Sequence, residues 1–357
     1  MQTTMNSIIQ KVMVEPLKKG EAFSIFWELL NDKFGEKNKI YLASFLTAMQ
    51  ARGPTVEEIS GLMKAVNKDA KKLITKIKPV CGIVGNGRDD FKTINISTGA
   101  SLICAASGLA IAKNGCRAES SKTGTTDVLE ALGAKINCSP KKSLRSLEEN
   151  KFALFDAEMY FPRMTRNYVG TVSWRNPLSA ALAIASPIRF DSIIFGISDP
   201  NLIDDITPEI LKKIGPRNTM IVCGKVGNGY IDELSTAGTS YLKKISNTPS
   251  KKEVIFPELL GIKKAKPWQL KQYETHKENA KALLRGISGR DKAICDCLCL
   301  NAGAALYISG LASDIKEGFE IAEQVVGDQT LKVLRKYVIA TGGEPNWNGK
   351  GLLYSVN

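Results

Sequence analysis

Three short segments combine glycines, hydroxyls, amides and charge at spacings that could do chemistry. The first, VGNGRDDFKTINIST over residues 84–98, holds Gly85 and Gly87, which allow close backbone approach, with Arg88 and Asp89 beside them. Asn95, Ser97 and Thr98 then offer hydrogen bonds near the expected start of a helix. Successive amides at such a turn can bind phosphate without a P-loop lysine. In the second, AKNGCRAESSKTGTTD over 112–127, Lys113 and Arg117 can neutralise phosphate, while Asn114, Ser120, Ser121, Thr123 and the backbone around Gly124 can bind its oxygens. In the third, GNGYIDELSTAGTS over 227–240, the adjacent carboxylates of Asp232 and Glu233 can hold magnesium, directly or through water, where a diphosphate supplies further ligands. Alone, these segments read as a structural turn, a solvated basic loop and an exposed acidic pair. Together they describe a site for a polyphosphorylated, anionic sugar and a hard cation.

Two textures of chain must position these loops. Over residues 1–76, stretches such as FSIFWELLNDKF and KIYLASFLTAMQARG carry apolar residues near helical spacing, which predicts a mainly helical N-terminal domain. Thr55 precedes acidic residues in PTVEEISGLMKAV and is expected to cap a helix there. From VCGIVGNGRDD onward, short apolar strands alternate with small-residue helices, the pattern of an α/β core. KFALF at 151–155, SIIFGI at 192–197 and TMIVCGKV at 219–226 are further strand candidates. A polar, lysine-rich interval at about 240–282 reads as a surface excursion, after which DKAICDCLCLNAGAALYISGLA returns to a buried helical pattern.

Composition narrows the function classes. The 357 residues are 43% hydrophobic, enough for a large α/β unit with a smaller companion. Lys and Arg number 49 against 36 Asp and Glu, a formal charge of +13 that favours anionic partners. The first twenty residues lack a secretory-type apolar core and no later stretch is long enough to span a bilayer, so a cytoplasmic protein with no membrane contact is expected. Eight cysteines in a chain of this length do not suggest a disulfide scaffold; Cys295, Cys297 and Cys299 read as buried thiols on one helix. A single histidine, His276, argues against a histidine-based relay or multi-imidazole metal site. Trp174 and Trp268 are expected to pack in the core or an interface.

The loops resemble the anthranilate phosphoribosyltransferase family, whose fold is related to the class II nucleoside phosphorylases. Its G-T-G-G-D-G loop followed by T-F-N-I-S-T is similar to Gly85-Asn86-Gly87-Arg88-Asp89-Asp90 followed by Thr93-Ile94-Asn95-Ile96-Ser97-Thr98. Its K-H-G-N-R and S-S-x-S-G resemble Lys113-Asn114-Gly115-Cys116-Arg117 and Ser120-Ser121-Lys122-Thr123-Gly124. An L-D-E-I-S-like magnesium motif is matched by Ile231-Asp232-Glu233-Leu234-Ser235, and L-N-A-A-A-A-L by LNAGAALY at 300–307. The resemblance implies a small helical domain at 1–76, with a returning segment near 165–190, and a large mixed α/β domain at 77–357 that binds phosphoribosyl pyrophosphate. It further implies pyrophosphate near Gly85, Gly87 and Asn95, and the 5-phosphate nearer Ser97, Thr98, Lys113 and Ser121. Magnesium would be organised by Asp232 and Glu233 with Ser97, Lys113 would join the catalytic set, and the protein would be a homodimer.

Departures concentrate on the acceptor side. Asn114 and Cys116 stand where the family has His and Asn, and Arg88 and Asp90 replace loop glycines. If Ser186-Pro187 matches the family's terminal Asn-Pro, Arg175 falls at its later arginine while Tyr168 and Val169 take the earlier arginine pair, leaving an acceptor carboxylate short of a guanidinium. The expected reaction is therefore magnesium-dependent transfer of phosphoribose to a small nitrogenous, aromatic acceptor not identified by sequence, with anthranilate as one alternative. The main reading of a different class is a non-catalytic nucleic-acid-binding relative, motivated by the net charge and by lysine-rich stretches near 135–145, 243–252 and 263–281.

Overall fold

The computed structural model describes residues 4–87, 89–118, 122–172, 174–245 and 250–345. Four helices open the chain: α1 (Met5–Val14), α2 (Lys19–Leu30), α3 (Asn38–Arg52) and α4 (Val56–Asp69). Thr55 caps α4 as its position predicts, its side chain accepting from the Glu58 amide while Glu58 reaches back to the cap. Glu58 is fully buried, and its carboxylate ties three segments together. It accepts from the amides of Leu17 and Thr55, both at 2.9 Å, and pairs with Arg52 at 2.5 Å. Removing one partner of a buried pair strands the other's charge. Glu58→Ala is expected to cost about 3 kcal/mol, read as a lower urea midpoint with unchanged slope.

The chain then alternates strand and helix. β1 (Val80–Gly85), α5 (Ile96–Ala106), β2 (Ala110–Gly115), α6 (Thr125–Ala131), α7 (Pro140–Asn150) and β3 (Phe152–Asp156) lead to the short helices α8 (Ala157–Tyr160) and α9 (Pro162–Tyr168). Residues 157–168 return to the N-terminal helices: Asp69, at the end of α4, accepts from the amides of Arg163 and Met164 at 2.9 and 2.8 Å, and Asn167 donates to Leu30 at 3.1 Å. β4 (Ser192–Gly196), α10 (Thr207–Ile214), β5 (Asn218–Val226) and β6 (Gly229–Ile231) follow. The lysine-rich interval supplies β7 (Ser240–Ile245) and β8 (Glu253–Ile255), so part of what reads as a surface excursion is sheet. α11 (His276–Ile287), α12 (Lys292–Ile308), α13 (Ile315–Gln324) and α14 (Asp328–Thr341) complete the described fold.

Among the described residues eight strands form one mixed sheet in the order β3-β2-β1-β4-β5-β7-β8, with β6 also on β5. β1 to β5 run parallel, and β6, β7 and β8 pair antiparallel. Successive strand side chains point to opposite faces, which divides the core. Cys81, Ile83, Ile111, Phe152, Ile194 and Val222 join α5, α11 and α12 on one face. Val80, Val84, Ala112, Ala153, Ile193 and Cys223 join the N-terminal helices on the other. Both faces being covered explains why the parallel strands read as continuous apolar runs. Cys295, Cys297 and Cys299 lie buried on α12 as the pattern predicts. The tryptophans are not core residues: Trp174 is 44% exposed and Trp268 68% exposed in the single chain. Trp174 lies on a loop and Trp268 in the short 3-10 turn Pro267–Leu270, where aromatic character alone does not secure burial. No helix among the described residues is long and apolar enough to cross a membrane.

Candidate active site

β1 is flanked by β2 on one side and β4 on the other, so the direction in which strands are added reverses between β1 and β4. Open α/β sheets take ligands in the crevice outside the carboxyl ends of strands at such a reversal. Here the crevice is lined by two glycines paired in register, Gly85 at the end of β1 and Gly196 at the end of β4. A Cβ on Gly85 would lie 2.0 Å from Asp232 Oδ2, and one on Gly196 only 1.6 Å from the Asp232 carbonyl oxygen. The glycines thus leave a slot, and the turn after β6 lays Asp232 into it. Gly85 reads in the sequence as a loop glycine, whereas Gly196 lies inside the 192–197 strand candidate and carries no such signal.

Asp232 organises the first loop. Its Oδ2 accepts from the Gly87 amide at 2.7 Å, and its own amide donates to Asp89 Oδ1 at 3.0 Å. Gly87 has φ of +67°, a backbone conformation glycine supplies without strain. Carboxylate oxygens of Asp89, Asp232 and Glu233 lie within 4.8 Å of one another. Burial, followed by the Asp232 charge, holds the Asp89 carboxyl well above the ordinary range; burial and the charges of Asp232 and Asp89 do the same to Glu233. Glu233 Oε2 is buried without a hydrogen-bond partner. A cluster of acids that resists ionisation and leaves an oxygen unpartnered fits a hard divalent cation with oxygen ligands.

Lys113 sits nearby on β2, almost fully buried, its Nζ donating to the Ile83 carbonyl at 2.7 Å and to Ser97 Oγ at 3.1 Å. Burial lowers its pKa to about 8, with Glu233 and Asp232 working in the opposite direction. Ser97, expected with the metal-binding acids, is held by this lysine at the start of α5, and Asp89 is the third residue grouped with Asp232 and Glu233.

The second loop is braced against the first by the predicted Asn95 and by Asp127, Gln272 and Asn279, which no motif marks for that role. Asp127 accepts from the amides of Ala118 and Gly124 at 2.8 and 2.9 Å. Gln272, inside the lysine-rich interval, donates its amide to the Lys92 carbonyl at 2.9 Å, accepts from the Lys122 amide at 2.9 Å and reaches the Thr123 carbonyl at 3.2 Å. Asn279 on α11 donates to Thr123 Oγ1 at 3.0 Å, and Asn95 donates to the Thr123 carbonyl at 3.3 Å. Gln272 and Asn279 are 8% and 0% exposed, so this staple between loops is interior. Only a Gln and an Asn breaking a run of lysines signalled it.

Comparison with known proteins bears on the same region. Residues 78–329 match the family model for the glycosyl transferase family a/b domain. An anthranilate phosphoribosyltransferase of Lacticaseibacillus paracasei is 34% identical over 325 residues, covering 90% of this chain and 92% of that protein. The Methanobrevibacter smithii enzyme of the same name is 30% identical, covering 93% and 97%. The chain belongs to the anthranilate phosphoribosyltransferase family. The crystal structure of the Thermus thermophilus anthranilate phosphoribosyltransferase superposes with a TM-score of 0.84 at 28% identity, covering 94% of this chain and 99% of that one. At 22% identity the Saccharomyces cerevisiae anthranilate phosphoribosyltransferase, solved in complex with PRPP and Mg, shares the fold with a TM-score of 0.83, covering 96% and 99%.

The remaining candidate residues of this family member fall in different settings. Thr98 is buried, its hydroxyl 3.3 Å from that of Thr125. Asn114 turns its Nδ2 to the carbonyls of Ala185 at 2.6 Å and Ala183 at 3.5 Å, which leaves Oδ1 buried and unpartnered. Arg117 is engaged with Asp127 and Glu130 on α6, at 3.2 and 2.8 Å, and these carboxylates raise its pKa. Arg175 lines a cleft of about 250 Å³ together with Asn86 of the first loop and Gly53, Pro54 and Asp205. Arg88, Ser120 and Ser121 lie outside the described residues.

Proposed function

We propose that this chain transfers phosphoribose from phosphoribosyl pyrophosphate to a small nitrogenous acceptor, with magnesium held by Asp89, Asp232 and Glu233. The observation that carries the reading is the acid cluster set in a two-glycine slot at the topological switch point, directly against the Gly85–Gly87 loop. Family membership and the yeast relative solved with PRPP and Mg support it.

In this reaction the acceptor nitrogen's lone pair forms a bond to C1 of the ribose as the C1–O bond breaks. That bond's electron pair leaves with pyrophosphate, and the nitrogen then releases a proton to solvent. A bound magnesium ion supplies charge neutralisation for the leaving group. The protein's own part is mainly placement. The Asp232–Gly87 contact fixes the first loop beside the acid cluster, and the α5 N-terminus, with Ser97 and Thr98 in its first turn, favours phosphate. Lys113 holds Ser97 and adds positive charge where negative charge develops. No covalent side-chain nucleophile is needed.

Calorimetric titration of phosphoribosyl pyrophosphate with and without magnesium tests the reading. Saturable, magnesium-dependent binding is expected; absence of binding across several ionic strengths rejects it. Because Gln272 joins the two loops, Gln272→Ala is expected to raise KM for phosphoribosyl pyrophosphate about tenfold, the loss of one or two buried hydrogen bonds. The change in kcat should be smaller. Parallel losses in kcat and thermal stability would instead make Gln272 a packing residue.

A further inference from the structure

Two of the clustered acids are held in different ways. Asp232 is fixed from several sides: it fills the slot between Gly85 and Gly196, its Oδ2 accepts from the Gly87 amide at 2.7 Å, and its own amide donates to Asp89. Glu233 has a looser hold on its side chain. Its Oε2 is buried without a hydrogen-bond partner, so the place of that oxygen depends on the backbone that carries it. This backbone is gripped one residue further on, by a side chain 67 residues from Leu234 in the sequence.

Asn301, on α12, spends its whole side-chain amide on this grip. Its Oδ1 accepts from the Leu234 amide at 2.9 Å, and its Nδ2 donates to the Leu234 carbonyl at 2.8 Å. Nδ2 also donates to the Cys297 carbonyl at 2.9 Å, one turn back on the same helix. Two carbonyls facing one end of the amide and an N–H facing the other settle its orientation. The pairing is interior, with Asn301 1% exposed and Leu234 fully buried. Its base is firm, since α12 packs against α5, α11 and α13. Neighbouring amides of the turn are satisfied from within it: Ser235 by Ser240 Oγ at 2.8 Å, and Ala237 by Ser235 Oγ at 3.0 Å. Of these three amides only that of Leu234 is tied to another part of the chain, and Leu234 directly follows the acid pair. A buried side-chain amide costs desolvation unless every group on it is paired. Here that cost is offset by bonds that all bear on the position of one turn.

We propose that Asn301 is a positioning residue of the metal site: its two-bond hold on Leu234 fixes the backbone that carries Glu233, and so sets where the Glu233 carboxylate stands relative to Asp232 and Asp89. Without this hold the amide and carbonyl of Leu234 are left unpaired in the interior, and the turn shifts to satisfy them. Glu233 moves with it, having no partner at Oε2 to keep it in place. Asp232 stays in its glycine slot. The cation then meets a distorted set of oxygens, while the phosphate-favouring N-terminus of α5 is untouched. Groups that orient metal ligands from behind commonly govern metal affinity in this way. The inference rests on the reading that Asp89, Asp232 and Glu233 hold magnesium, and its test keeps the two apart.

Calorimetric titration of phosphoribosyl pyrophosphate into the full chain, repeated across a magnesium series, reads two quantities. One is the magnesium concentration for half-maximal donor binding, and the other is the donor Kd at saturating magnesium. In Asn301→Ala the magnesium midpoint is expected to rise about tenfold or more, with the donor Kd at saturating magnesium close to wild type. Leu306→Ala empties a fully buried position more than a turn further along α12. It should lower Tm at least as far and leave the magnesium midpoint where it is. Where Asn301→Ala is not recovered folded, Asn301→Ser takes its place: its hydroxyl can keep a bond to the Cys297 carbonyl, and only the two bonds to Leu234 are lost. A smaller rise in the folded variant, an equal rise in Leu306→Ala, or a donor Kd that worsens as far as the midpoint each overturns the positioning role. A wild-type chain that fails to bind the donor, or binds it without regard to magnesium, removes the metal reading itself.

Discussion

Asp232→Asn is expected to lower kcat/KM about a thousandfold and to abolish the magnesium dependence of donor binding, without loosening the fold. The substitution keeps the shape that fills the slot between Gly85 and Gly196 and retains an oxygen for the Gly87 amide. It removes the charge that, after burial, raises the carboxyls of Asp89 and Glu233. The metal-free variant should therefore melt no lower than wild type. Lost activity with retained or raised Tm separates a metal ligand from a packing residue. Magnesium-dependent binding undiminished in the variant would remove Asp232 from the metal site.

The same acids set the pH response. Asp89 and Glu233 have folded-state pKa values above their unfolded ones, so the folded state holds their protons more tightly. Their contribution to stability is fully present below the unfolded values, about pH 4, and is lost as pH rises through the raised folded values. A divalent cation stabilises the ionised form, so the magnesium-induced rise in Tm should be larger at pH 8 than at pH 5.5. In Asp232→Asn this difference should shrink. A magnesium effect independent of pH would show that the ion binds elsewhere.

Gly196→Ala should also be damaging, by a different route. The added methyl would sit 1.6 Å from the Asp232 carbonyl and 2.6 Å from its carbonyl carbon. Both are backbone atoms, which cannot swing aside as a long side chain does. The 231–233 turn must shift, taking the Asp232 carboxylate away from the Gly87 amide and the acid cluster with it. Overpacking of this kind costs about 1–3 kcal/mol, and displacement of catalytic groups by an ångström costs about a hundredfold in rate. Unfolding midpoints and kcat/KM measured together check both figures. An alanine variant with near wild-type activity would mean that Asp232 is not held where this packing places it. Gly85→Ala is a useful companion, since its nearest clash is with the Asp232 carboxylate and a χ rotation can relieve part of it.

The sequence alone determined more of the donor side than of the acceptor side. Glycine spacing at 85 and 87, the Asn95-Ile96-Ser97-Thr98 run and the adjacent acids at 232 and 233 are local patterns, and local patterns carry their chemistry in residue type and spacing. The strand candidates were legible for a similar reason: both faces of a parallel sheet are covered, so β3, β4 and β5 stand out as apolar runs. The Thr55 cap and the buried α12 cysteines follow from short-range rules.

What tertiary structure decided is which distant groups meet. Asp89 and Asp232 are 143 residues apart, and only the reversal of strand order at β1 brings the first loop and the turn after β6 to one crevice. The need for glycine at 196 comes from an atom 36 residues away in the chain, and no propensity at Gly196 records it. Gln272 lay hidden in a stretch whose charge suggested solvent, because a buried staple depends on its partners at Lys92, Lys122 and Thr123. Arg175 reads in sequence as a free guanidinium for an anion. Asp199 and Asp205, delivered by the loop after β4, lie 3.8 and 4.0 Å from it and share its charge, and a charge's effect on a ligand depends on every neighbour within reach.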